Sequence, residues 1–213
     1  MAGEAIPTMA SGATVIGVGL RRGLEWWNRS VWAVVAAYVP GDGGAKFLVG
    51  RLTVLPTGSR EEVLEEDRKT REIFEDPGAL YFGEGCEDVV GRCQGAELKD
   101  TGDEAVLPNF RLLYHLCKEG RFECYQDAGE YLDERGEVVK GLFKSELRGF
   151  RYDVGMRPEL GLVQLGTQQG SDACVYAVTL AIAACADQLP SDRMRSERRT
   201  LLPMGGHDST ETA

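Results

Sequence analysis

Gly166-Thr167-Gln168-Gln169-Gly170-Ser171-Asp172-Ala173-Cys174, running straight into the apolar segment 174–186, is the stretch on which the fold turns. The second part carries almost no polar residue on any side, so it reads as a helix buried all round. It has 13 residues, whereas a bilayer span needs roughly 20, so it belongs in a protein core. The Gly, Ser and Asp before it form a turn that can cap a helix whose first residue is Cys174.

The N-terminal third reads as strands. Residues 13–18 are a short β-branched run that reads as a buried strand, interrupted by the polar stretch 21–30. Residues 31–39, Val-Trp-Ala-Val-Val-Ala-Ala-Tyr-Val, are apolar almost throughout. Both faces of that strand should be covered, which puts it centrally in the sheet. Pro40-Gly41-Asp42-Gly43-Gly44 is a dense turn signal, and residues 47–55 read as the hairpin partner. The β region is expected to end there.

Ser59 can cap an exposed helix over residues 60–75, with Val63, Thr70 and Phe74 on one narrow face. Residues 76–107 are irregular and rich in Gly and acid, which predicts loops or an insertion. A helix is expected from about Pro108 to Gly120, with Leu112, Leu113 and Leu116 clustered. Residues 122–132 and 138–147 read as helical, joined by a turn at 133–136, and residues 160–165 as a late strand. Pro190 is followed by an Arg-rich helix candidate. The resulting organisation is a loose N-terminus over 1–12, one domain over 13–202 with a helical insertion at about 61–150, and a disordered tail over 203–213.

Composition bounds the function classes. The chain has 213 residues, 43% of them hydrophobic and 27% charged, ordinary globular values that permit a single sizeable core. The formal net charge is −10, which repels phosphate backbones, so nucleic acid is not an expected partner; nor is a membrane, because the longest apolar run is too short to span one. The first residues carry no basic start with an apolar run, which argues against a secretory signal. The six cysteines are therefore expected to be reduced thiols in the cytoplasm or nucleus, and the Asn28-Arg29-Ser30 sequon to be chance.

A thiol in the first turn of a buried helix feels the partial positive charge of that N-terminus, which favours thiolate and raises reactivity. The side-chain amide of Gln168, six residues earlier, could join the backbone N–H of Cys174 in a two-donor pocket for an oxyanion. The plain alternative is core packing, since cysteine is among the most buried residue types.

In the order of these parts the chain resembles the ubiquitin-like-protein-specific proteases and their adenovirus-protease-like (adenain-like) relatives. Thr14 to Leu20 looks like the family's first strand, Val31-Trp32-Ala33-Val34-Val35 like its His-Trp strand, and Gln168 through Cys174 like its nucleophile loop. The resemblance implies an α+β, papain-like fold, with a central mixed or antiparallel sheet and a buried helix carrying Cys174. It further implies Cys174 as nucleophile, Gln168 as oxyanion donor and Trp32 as a wall of the substrate groove, with a ubiquitin-like modifier or its conjugates as partner and neither metal nor other cofactor. Trp32 also has an ordinary reading as core.

The departures from the family pattern bear on activity. Val31 stands where the base His is expected, and Leu55 or Pro56 where the orienting Asp should be. Asp172-Ala173-Cys174-Val175 lacks the usual Asp-Cys-Gly order. Positioned acid/base catalysis is worth roughly 10² to 10⁴ in rate, so a peptidase built this way is expected to be impaired, with His115 the candidate replacement because His207 lies in the tail. The alternative is a non-catalytic module that binds ubiquitin-like modifiers, for which the acidic runs 61–66 and 100–104 could provide a complementary surface.

Two rival readings rest on other residues. Cys86, Cys93, His115, Cys117 and Cys124 could hold zinc, although their spacing is wider than zinc ligands usually show. Gly17-Val18-Gly19-Leu20-Arg21-Arg22-Gly23 follows a strand as a dinucleotide-binding loop would, but its spacing is off by one.

Overall fold

A computed structural model describes residues 14–23, 29–40, 44–74, 77–133, 135–154, 163–167 and 171–189, with the backbone alone for 103, 151–154 and 163–167. The centre of the molecule is the strand β2 (Ser30–Tyr38), preceded by β1 (Val15–Arg21) and followed by β3 (Lys46–Leu55). β1 and β3 both run antiparallel to β2. Valine and alanine fill β2 and leave both of its faces apolar, and residues 31–37 are all buried.

Strand formation does not end at Leu55. After α1 (Arg60–Ile73), β4 (Ala79–Phe82) lies parallel to β1, and β5 (Ala96–Leu98) lies parallel to β4. Between those two strands sits the single turn α2 (Glu87–Val90). The helix α3 (Asp103–Lys118) begins a turn before Pro108, and β6 (Phe122–Cys124) joins the far edge parallel to β3. The six-stranded sheet is therefore mixed, in the order β5-β4-β1-β2-β3-β6. The stretch 76–107, expected to be loops, supplies two of its strands.

The expected helix over 122–132 is likewise corrected. Besides β6, that stretch holds β7 (Tyr131–Leu132), which pairs with β8 (Val138–Val139). Asp133 Oδ1 accepts the N–H groups of Arg135 and Glu137 and closes the hairpin. Only α4 (Leu142–Gly149) is helical, so the stretch 61–150 is not a purely helical insertion. β9 (Phe150–Val154) and β10 (Val163–Thr167) make a separate antiparallel pair. The chain's apolar helix is α5 (Ala173–Gln188), and its residues 173–186 are all buried. The architecture is α+β, with a mixed central sheet and α5 laid across it.

Alternation along the strands divides the core in two. Val31, Ala33, Val35 and Ala37 pack with Phe47, α3 and α5, whereas Trp32, Val34 and Ala36 pack with Ile16, Val18, Leu20 and Phe82 on the face carrying Val63 of α1 and Val89 of α2. On β1 the α5 face belongs to Gly17 and Gly19. A Cβ on Gly19 would sit 2.0 Å from the Ala177 carbonyl oxygen, and one on Gly17 would sit 2.3 Å from that of Ala181. Together with the alanines of α5, these glycines let a helix backbone touch a strand backbone. Both glycines lie inside a strand rather than in a turn before a helix, which removes the basis of the dinucleotide reading.

Candidate functional site

The N-terminus of α5 is held by three acceptors. Ser171 Oγ accepts the N–H of Ala173 at 3.3 Å, and the N–H of Tyr176 returns to the Asp172 carbonyl at 3.0 Å. The other two donors, the N–H groups of Cys174 and Val175, both go to Oε2 of Glu146, at 2.8 and 3.2 Å. Glu146 comes from α4, where Phe143 one turn earlier is also buried. An apolar anchor and a carboxylate three residues apart thus pin α4 across the mouth of α5.

Glu146 is only 4% exposed, and its Oε1 meets no donor of good geometry among the described residues. Burial pushes its carboxyl up from the ordinary 4.5 to about 7, against the opposite pull of the Ser171 hydroxyl and the two N–H groups. The Cys174 thiol is raised well above its ordinary value, first by burial and then by the Glu146 carboxylate beside it. Burial and the Glu146 carboxyl both favour the neutral thiol, opposite in sense to the attraction of the helix end.

Cys174 has no exposed surface. Its sulfur is roofed by Gly129, where a Cβ would stand 3.4 Å from Sγ and where φ is +82°, a conformation that suits glycine. Arg29, whose charge favours the thiolate, is stacked 3.7 Å from the centroid of the Tyr131 ring.

Trp32 is not part of this site. It is fully buried on the opposite face of the sheet, where its Nε1 donates to Thr70 Oγ1 at 3.0 Å and its ring meets Phe82 edge-on at 5.7 Å. Period-2 alternation forces this separation, since Val31 points toward α5 and its neighbour must point away. The groove-wall expectation for Trp32 is thereby replaced by a core role. Gln168 and His207 lie outside the described residues. Val31 is buried in the same cluster as Cys174, and its register partner Val54 is also apolar, so neither of these facing positions supplies a base or an orienting carboxylate. His115 is carried by the last turn of α3, beside Tyr114.

The zinc reading has no geometry behind it. Cys86 and Cys93 are in the core on the Trp32 face, whereas His115, Cys117 and Cys124 belong to α3 and β6. Among the described residues no three His, Cys, Asp or Glu side chains converge as a metal site. All six cysteines are free. No described helix is long and apolar enough to cross a membrane.

Glu146 escaped the sequence reading. Its signal was a charged residue three positions after Phe143, on what would be the apolar face of a short helix. No protein-family model, no curated protein and no solved structure matches this chain.

Proposed function

We propose that this chain is a peptidase-like protein that binds a ubiquitin-like modifier or its conjugates, in the cytoplasm or nucleus, without cleaving them. The papain-like arrangement and the kinship with ubiquitin-like-protein-specific proteases belong to the same reading. The observation that carries its non-catalytic half is the carboxylate of Glu146 on the N–H of Cys174. In a cysteine hydrolase that N–H would be aimed at a developing oxyanion. Here an acceptor already holds it, and a carboxylate placed there would repel the negative charge of a tetrahedral intermediate.

One observation favours an impaired peptidase instead. Glu146 lies beside the thiol with its carboxyl at about 7, a value suited to accepting a proton near neutral pH. Turnover by this route would require Gly129 to move off the sulfur.

A ubiquitin-like protein with an electrophilic tail separates the two readings when its unmodified counterpart is run beside it. Saturable binding of the plain modifier with no adduct at Cys174 is the expected result. Rapid labelling of Cys174, abolished in Glu146→Gln, would establish the peptidase instead, and failure of a panel of modifiers to bind would overturn the partner class.

A further inference from the structure

The helix α4 is held in place by little. It has 8 residues, too few for a helix to be stable alone in water, and Phe143 and Glu146 are its two buried side chains. A glycine stands at each end: Gly141 before it, left-handed at φ +71°, and Gly149 as its last residue. Segments with few buried apolar contacts open locally at a fraction of the free energy of global unfolding. α4 also carries the cover of the thiol. The N–H of Phe143 donates to the Ala128 carbonyl at 3.2 Å, and a Cβ on Gly129 would stand 3.1 Å from Leu142 Cβ and 3.4 Å from Cys174 Sγ. The roof at Gly129 is thus wedged between the first turn of α4 and the sulfur, which couples it to α4.

One of the two anchors is a carboxyl, so its hold depends on its proton. The partners of Glu146 are the Ser171 hydroxyl and the N–H groups of Cys174 and Val175, all uncharged. The elements around it bring no compensating cation to the carboxyl. Asp172 and the Cys174 thiol are acidic, α5 has no basic residue, and β10 has no ionisable one. Cys124 of β6 is a thiol pushed up to about 11, and Asp127 beside the roof is paired with Lys140 at 3.5 Å. Arg29 is stacked on Tyr131, Arg111 of α3 shares a cavity with Leu147 and Val175, and Lys144 and Arg148 of α4 are exposed. An anion at Glu146 therefore bears the cost of desolvation, and that cost vanishes when the carboxyl reaches water.

We propose that α4 is a proton-operated latch on the N-terminus of α5: protonated Glu146 keeps it docked, and ionised Glu146 releases it, lifting Gly129 off Cys174 and baring the thiol and the N–H groups of Cys174 and Val175. The proton lost from the carboxyl passes to solvent. Docking raises the carboxyl to about 7, and release returns it to the ordinary 4.5. Opening therefore becomes more frequent as pH rises between those values, about tenfold per unit and about 300-fold in all, and is level above them. The latch concerns how α4 packs, so it holds whether or not a modifier binds.

Amide hydrogen exchange on the full chain, corrected for its intrinsic pH dependence, reads the opening directly. The N–H groups of Cys174 and Val175 should open about 200-fold more often at about pH 8 than at about pH 4. At each pH they should also open more often than those of Val34 and Val35 in β2. Alkylation of Cys174, taken relative to the exposed Cys117, should climb over the same interval. In Glu146→Gln, whose side chain keeps an acceptor but cannot ionise, the opening should be flat with pH. A flat wild-type profile, or a rise that survives in the variant, would overturn the latch. Exchange of the two amides at the β2 rate would mean that global unfolding alone bares them, and would overturn it too. The wild-type profile and its β2 reference need no variant, so the test stands if the substitution prevents folding.

Discussion

Replacing Glu146 by Gln should stabilise this protein above neutral pH, although Glu146 bonds two N–H groups of α5. The folded carboxyl is raised from 4.5 to about 7, with burial the dominant cause. Between those values the native state keeps a proton that the unfolded chain has lost, so stability falls as pH rises through the interval. The contribution of this group is whole below about pH 4.5 and gone above about pH 7. At about 1.4 kcal/mol per pH unit, the rise amounts to about 3 kcal/mol. The carbonyl oxygen of Gln can accept the same two N–H groups without charge. The variant should therefore match the wild type at pH 4 and exceed it by about 3 kcal/mol at pH 8, or about 6–12 °C in Tm for a chain of this size. Urea denaturation of both proteins across pH 4–9 gives the difference curve, in which the other carboxylates cancel. Parallel curves, or a wild type more stable at pH 8, would refute the claim that desolvation outweighs the helix-end attraction.

Gly19→Ala would drive a methyl into the Ala177 carbonyl, and should cost about 3 kcal/mol or more by forcing α5 off β1; a denaturation midpoint near the wild-type value would contradict the close-approach argument. Trp32→Phe removes the donor to Thr70 Oγ1 in a buried site and should cost about 1–3 kcal/mol. It should leave modifier affinity unchanged, and a loss of binding in a variant that remains folded would return Trp32 to a groove. Under native conditions a maleimide should modify Cys117, which is exposed, before Cys86, Cys174 and Cys185, which are buried with raised thiols. Early modification of Cys174 would mean that the roof at Gly129 opens readily.

What the sequence determined by itself is what local pattern carries. Apolar continuity marked β2 and α5 as buried, Pro40 to Gly44 marked the hairpin between β2 and β3, and Ser59 marked the start of α1, where its Oγ accepts the N–H of Glu62 at 3.3 Å. Strands such as β4, β5 and β6 are too short to display a period, and their parallel partners are far away in the chain, so only the assembled sheet reveals them. The pattern of β2 was equally mute about its faces. When every residue of a strand is apolar, alternation no longer says which side meets which helix, and Trp32 could be assigned to the face of Cys174 or away from it. Packing made that choice. The two glycines of β1 admit α5 on one face and leave the indole to the other, and α4 brings Glu146 to the thiol's helix from 28 residues before Cys174. The charge state of Cys174 thus follows from desolvation and from one neighbouring carboxylate, quantities that exist only once distant segments share a core.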